Sequence, residues 1–167
     1  MKDQNQFRPR LESLEGRLPL SAVYPNTHHL ALDGKLNGIW SPVPSIPDTG
    51  SLQSLSGSGH VEHLGEVQLS GNLTSPGNIA LGRTTGEFTL TDHHGSVTFR
   101  LVGAQLQPGM SGPVSKYYFA IEGGTGAYTH IWGGGIAMLQ ELPAHQAGAH
   151  SDAVFPPSFT LTLQSYK

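Results

Sequence analysis

The chain has 167 residues, a formal net charge of −3 and a sequence pI near 6.3, so it offers no basic face for nucleic acid or an anionic membrane. Cysteine is absent, which removes disulfides, thiolate zinc sites and thiol catalysis. Twenty-two glycines and 12 prolines against only 13% charged residues describe a turn-rich β protein, not a helical bundle.

The first residues form no signal peptide of the usual kind, because their apolar runs fall short of the about 7–15 residues of a hydrophobic core segment. No run approaches the ~20 apolar residues of a membrane-spanning helix. Leu11, Leu14 and Leu18 recur at helical spacing until Pro19 ends the stripe, so residues 1–22 read as a tail outside the folded domain. Residues 23–56 read as a linker or strap. Pro42, Pro44 and Pro47 each remove a ladder donor there, leaving at most one strand, at 35–40.

Regular pattern begins after the serine- and glycine-rich run 54–59, and residues 57–167 are expected to form the folded domain. Val61, His63, Gly65, Val67, Leu69, Gly71 and Leu73 share one parity, which predicts a single long, half-buried strand bent or bulged at Gly65. Residues 87–91 and 96–102 alternate Phe88 and Leu90, then Val97, Phe99 and Leu101, against polar neighbours. Asp92, His93, His94 and Gly95 between them make this the clearest hairpin in the chain. Residues 104–115 read as a Gly/Pro loop, and 143–157 as a second, polar insertion without a period.

Three further strands, 117–121, 127–132 and 136–140, are separated by two glycine clusters suited to tight turns and barrel corners, one at 123–126 and one at 133–135. The chain closes on 158–164, with Phe159, Leu161 and Leu163 on one face. So regular a last strand predicts a sheet that pairs its end with an earlier strand. The expected fold is all-β, a small antiparallel β-barrel with an irregular N-terminal extension.

Nine histidines are many for this length. His63 shares parity with Val61, Val67 and Leu69 and is therefore expected inside the barrel. There it either bonds a backbone carbonyl or a Tyr hydroxyl, or serves as an acid/base or ligand-gripping group in a barrel mouth. Tyr128, His130 and Trp132 fall on one face of their expected strand, an aromatic wall beside His63. These four residues are the expected ligand-binding set. No metal site is expected. His60 and His63 differ in parity, and His93 and His94 sit in a hairpin loop where consecutive side chains should diverge. Gly109-Met110-Ser111-Gly112-Pro113 lacks the second glycine of a hydrolase nucleophile elbow, and Gly123-Gly124-Thr125-Gly126 lacks the Lys-Ser/Thr of a phosphate loop. Glu62, Glu66, Glu87, Asp92, Glu122 and Asp152 are too scattered to assign a catalytic carboxylate pair.

Two stretches resemble known patterns. Gly59-His60-Val61-Glu62-His63-Leu64-Gly65 with Val67-Gln68-Leu69, followed by Ile121-Glu122-Gly123-Gly124-Thr125-Gly126-Ala127-Tyr128, resembles a group of small bacterial β-barrel proteins. Those proteins pair a G-x-G-x-x-x-H-L-G strand with an I-x-G-G-T-G-x-[FY] hairpin. They are similar in fold to the allene oxide cyclase and dirigent barrels of the calycin-like group. The resemblance covers roughly residues 57–140 and rests on glycines and apolar positions, so it implies a fold and carries over no catalytic residue. Thr129-His130-Ile131-Trp132 is bulkier than the small residue and glycine that often follow the second motif.

In the tail, Pro9-Arg10-Leu11-Glu12-Ser13-Leu14-Glu15 and Arg17-Leu18-Pro19-Leu20-Ser21 resemble the LEPR-xLL N-terminal signature of many exported or surface proteins in compartmented bacteria, with Pro19 breaking its hydrophobic pair. That resemblance implies a bacterial protein that is secreted, periplasmic or on the cell surface. The combined expectation is an exported, non-catalytic barrel module that binds a small apolar molecule or acts as a surface component. The alternatives are a cyclase- or isomerase-like enzyme using the barrel cavity, and a histidine-based metal binder. No cofactor is expected, nor a nucleic-acid partner, and a dimer or trimer is compatible with the exposed strands.

Overall fold

Strands account for every regular element of the computed structural model, which describes residues 27–44, 50–75, 83–109, 112–142, 145–146 and 154–166. In chain order they are β1 (His28–His29), β2 (Gly34–Val43), β3 (Ser51–Val61), β4 (Gly65–Ser75), β5 (Thr85–Thr91) and β6 (Gly95–Gly109). There follow β7 (Gly112–Gly126), β8 (Ile131–Trp132), β9 (Gly134–Leu142), β10 (His145–Gln146), β11 (Val154–Phe155) and β12 (Ser158–Ser165). Eight of them close into a barrel in the order β12-β2-β3-β4-β5-β6-β7-β9, every neighbour antiparallel. The last strand provides the closure expected of it. β12 pairs with β9 from Ser158↔Leu142 to Ser165↔Gly135, and with β2 from Ser158↔Ile39 to Leu163↔Gly34. Closure leaves no open edge among the eight barrel strands.

The interior is filled by the inward face of each strand. Val67, Leu69 and Leu73 on β4, Phe88 and Leu90 on β5, Val97, Phe99 and Leu101 on β6, and Phe159, Leu161 and Leu163 on β12 are all buried. Phe99 is the hub, with its ring centroid 5.7 Å from Phe88 and 5.9 Å from Phe119. Such aromatic pairs add roughly 0.5–1.5 kcal/mol beyond the area they bury.

Four expectations are corrected by these elements. First, the barrel starts at Gly34, not at residue 57, so the stretch read as linker carries β2 and the first half of β3. Its inward positions are Gly34, Leu36, Gly38 and Trp40 on one strand and Gln53, Leu55, Gly57, Gly59 and Val61 on the other. Glycine at alternate inward positions erases the apolar signal of a strand. Pro42 fits because β12 pairs with β2 only as far as Ile39, which leaves Pro42 flanked by β3 alone.

Second, the expected single strand over 61–73 is a hairpin. β3 ends at Val61, the chain reverses through Glu62, His63 and Leu64, and β4 begins at Gly65. His63 has φ 70° and Gly65 φ 81°, the left-handed pair that a three-residue loop uses to reverse direction. Third, residues 127–132 are a turn followed by the two-residue β8, which pairs in parallel with β1. Of the glycine clusters, 123–126 lies within the end of β7, and only Gly126, with φ 62°, starts a turn. Fourth, the Gly/Pro segment 104–115 extends the β6–β7 hairpin, from Gln105↔Lys116 to Gly109↔Gly112, after a register shift beyond Val102. In the second insertion, β10 pairs with β11. The tail 1–22 lies outside the described residues.

A strap seals one end of the barrel. Leu32 is fully buried, its N–H donating to Ser165 Oγ at 2.6 Å, and Leu30 packs against the core with its N–H donating to Trp132 O at 2.9 Å. Asp33 ties the strap down twice: its Oδ1 accepts from Ser165 N at 2.8 Å and its carbonyl from Glu62 N at 2.7 Å.

Candidate functional site

All four residues expected to bind a ligand lie at the sealed end, and none lines an open interior. His63 is exposed in the β3–β4 turn, and the buried residue of that turn is Leu64. Parity stopped predicting the face once the chain reversed. His130 is exposed with φ 62°, and Trp132 is 55% exposed, its ring 4.7 Å from that of His29. Tyr128 alone packs against the core. The expected interior position of His63 and the shared aromatic face of Tyr128, His130 and Trp132 are therefore corrected.

The same end gathers what the sequence scatters. Seven of the nine histidines, His28, His29, His60, His63, His93, His94 and His130, sit on its turns, on its strap or at the end of β3. The arrangement follows from strand direction. β3, β5 and β7 run into this end, β2, β4, β6 and β9 leave it, and every short connection at it carries histidine. Backbone hydrogen bonds join the pieces around the rim, from His28 N to His130 O at 3.1 Å and from Ala127 N to His94 O at 3.0 Å.

Within this rim the β5–β6 turn is tied together by hydrogen bonds to one carboxylate. Asp92 Oδ1 accepts from the N–H groups of His94 at 2.8 Å and Gly95 at 2.9 Å, and Oδ2 accepts from the Tyr128 hydroxyl at 2.5 Å. Desolvation works against the Asp92 charge, but the hydrogen bonds from Tyr128, His94 and Gly95 and the nearby His94 outweigh it and hold the carboxyl below its usual range. Tyr128 is pushed up to about 12, first by desolvation, then by its hydrogen bond to Asp92 and the charge there.

The opposite end presents a different chemistry on the inward face. Trp40, Gln53, Ser115, Tyr117 and Glu141 continue the rows of Leu36, Leu55, Phe119 and Leu139 toward that end. Burial raises the Glu141 carboxyl above its ordinary value, and a hydrogen bond from Gln53 offsets part of the effect. Tyr117 is pushed up to about 12, first by burial and further by the charge of Glu141, against a hydrogen bond from Ser115. The Trp40 indole N–H is buried and finds no acceptor among the described residues. An orphaned buried donor of this kind costs about 1–3 kcal/mol. A half-buried acid, a phenol and a donor unpaired among the described residues thus meet inside this end of an apolar barrel, a combination found at binding sites. Reasoning from parity could have found Glu141, which follows Leu139 at period two. Trp40 and Gln53 were hidden in the stretch read as linker.

A third feature, a groove of about 500 Å³ on the outer wall, is lined by Asn72, Glu87, Arg100 and Glu122 among others. It is open and polar, without an aromatic side chain to hold an apolar molecule.

Both displaced tyrosines have a direct readout. Their folded values lie above the ordinary 10.0, so their contribution to stability is fully present below pH 10.0 and is lost as the pH rises through about 12. Spectrophotometric titration is expected to show part of the tyrosinate absorbance delayed to that range. Asp92→Asn should bring the Tyr128 fraction back toward 10.0, and a titration unchanged by that substitution would contradict the Tyr128–Asp92 bond.

The molecule is thus a closed, eight-stranded antiparallel β-barrel, strapped at one end, with a polar cluster inside the other. No protein-family model matches the chain, and no curated protein matches it. A solved structure described as "Pyocyanin demethylase" matches with 19% sequence identity and a TM-score of 0.41, covering 81% of this chain and 98% of that chain.

Proposed function

We propose that the chain is a small-molecule-binding barrel of the calycin-like, allene oxide cyclase/dirigent-like type, exported from a bacterial cell. Its ligand is held at the end opposite the strap by Trp40, Gln53, Tyr117 and Glu141. The observation that carries this reading is the buried Trp40 N–H, which finds no acceptor among the described residues. A ligand oxygen or nitrogen placed there recovers the energy of the orphaned donor. Glu141 offers an acceptor on the same inward face, and the buried Leu55, Leu139 and Phe159 favour an apolar body. The ligand is therefore a small, mostly apolar molecule with one acceptor and one donor. Export rests on the resemblance of residues 9–21 to the LEPR-xLL signature.

Native mass spectrometry of the protein recovered from its source cells tests the reading. The expected spectrum shows the chain plus a small molecule that a Trp40→Phe, Glu141→Ala variant fails to retain. A bare chain, or a molecule the variant retains fully, overturns it.

A second reading, a cyclase- or isomerase-like enzyme, is favoured by the pairing of a raised Glu141 carboxyl with the Tyr117 hydroxyl inside one end of an apolar barrel. Glu141→Gln separates the two readings. Binding without turnover belongs to the enzyme, and binding with no turnover in the wild type belongs to the carrier. The same variant reads the cost of the buried acid. A folded value above 4.5 means the contribution of Glu141 is fully present below pH 4.5 and is lost as the pH rises through the folded value. Glu141→Gln is thus expected to be more stable than wild type at neutral pH, by a margin that closes below pH 4.5. Equal stability at neutral pH would contradict the burial of that carboxyl.

A further inference from the structure

We propose that the β5–β6 turn is a binding site for a borderline divalent cation, of the Zn²⁺ and Cu²⁺ type, held by Asp92, His93 and His94. The two imidazoles do not diverge as consecutive loop side chains were expected to. Their ring centroids lie 3.7 Å apart, and one ligand atom from each of the three residues falls within 4.8 Å of the others. A tetrahedral ion with bonds of ~2.0–2.1 Å needs its ligands about 3.4 Å apart, a contraction that exposed histidine side chains make by small rotations about χ1 and χ2.

The carboxylate is already aimed. Oδ1 is saturated by the N–H groups of His94 and Gly95, whereas Oδ2 accepts only the Tyr128 hydroxyl and keeps a lone pair for the ion. Tyr128 is thereby a positioning residue, fixed in turn by packing against the barrel core. Two imidazoles and one carboxylate suit Zn²⁺ and Cu²⁺ over the hard, oxygen-seeking Mg²⁺ and Ca²⁺. Three protein ligands on an exposed turn leave the fourth position to water. The site lies at the strapped end, away from Trp40 and Glu141, so its existence and that of the ligand mouth stand or fall separately.

Calorimetric titration of the untagged full chain with ZnCl₂ is the test, with Mg²⁺ as the control ion. One Zn²⁺ per chain is expected, and His93→Gln with His94→Gln is expected to abolish it. Tyr128→Phe should weaken it by about tenfold, the lower end of what loss of a ligand's orienting partner costs. His28→Gln with His29→Gln should leave it unchanged. In the wild-type protein, with no substitution to disturb folding, Zn²⁺ should protect His93 and His94 from carbethoxylation while His28 and His29 react as before, as read by peptide mass. Absence of Zn²⁺ binding, binding that survives the His93/His94 substitutions, or protection of His28 and His29 in place of His93 and His94 overturns the proposal.

Discussion

Phe99→Ala is expected to lower the free energy of unfolding by about 3–5 kcal/mol, the loss usual for removing a buried phenylalanine. Phe99 is fully buried on β6, where it meets Phe88 of β5 and Phe119 of β7. Its removal takes away transfer energy and both ring contacts, and leaves a void that three hydrogen-bonded strands cannot collapse to fill. Since whole domains hold only about 5–15 kcal/mol, the variant should unfold at a much lower urea concentration, with an unchanged slope. A loss below 1 kcal/mol would mean that the barrel interior is not packed around this ring.

Gly38→Val is expected to cost about 3 kcal/mol or more, at the upper end of the usual range for overpacking, and to prevent accumulation of folded protein. A Cβ on Gly38 would collide with Ser56 O, with Gly57 Cα at 2.6 Å and with Phe159 Cε1 at 2.8 Å. Two of these atoms are backbone, so relief requires β2 and β3 to part. The matched control is Gly123→Ala on β7, where an added Cβ meets nothing within 4 Å and the backbone has no positive φ. That substitution should be neutral or stabilising by up to about 1 kcal/mol, because it removes freedom from the unfolded chain. If the two variants behave alike in thermal unfolding, the close approach of β2 and β3 is wrong.

Much of the fold was legible where strands alternate cleanly and end in turns of recognised chemistry. Phe88, Leu90, Val97, Phe99, Leu101, Phe159, Leu161 and Leu163 all face the core as their period requires, and the closing role of β12 followed from it. Legibility failed where glycine stood at inward positions. Gly34, Gly38, Gly57 and Gly59 carry no apolar signal, so β2 read as at most one short strand in a linker and the first half of β3 as linker. It failed again at His63. The alternation Val61, His63, Gly65 runs unbroken across a reversal of direction, and only a positive φ marks the turn. The candidate sites share this cause. Histidines far apart in sequence meet on one rim because alternate strand ends converge there, and Trp40 and Gln53 face Glu141 only once the barrel is closed. No local pattern encodes that meeting.

The most direct measurement is a two-dimensional ¹H–¹⁵N spectrum of the two tryptophan indole N–H groups during titration with prodan, a neutral naphthyl ketone. The account predicts that the Trp40 signal moves downfield as its N–H gains a carbonyl acceptor, and saturates at one equivalent. The exposed Trp132 signal should stay in place. A Trp40 signal that does not move at saturating probe, or a Trp132 signal that moves in its stead, would contradict a ligand site at the end of the barrel opposite the strap.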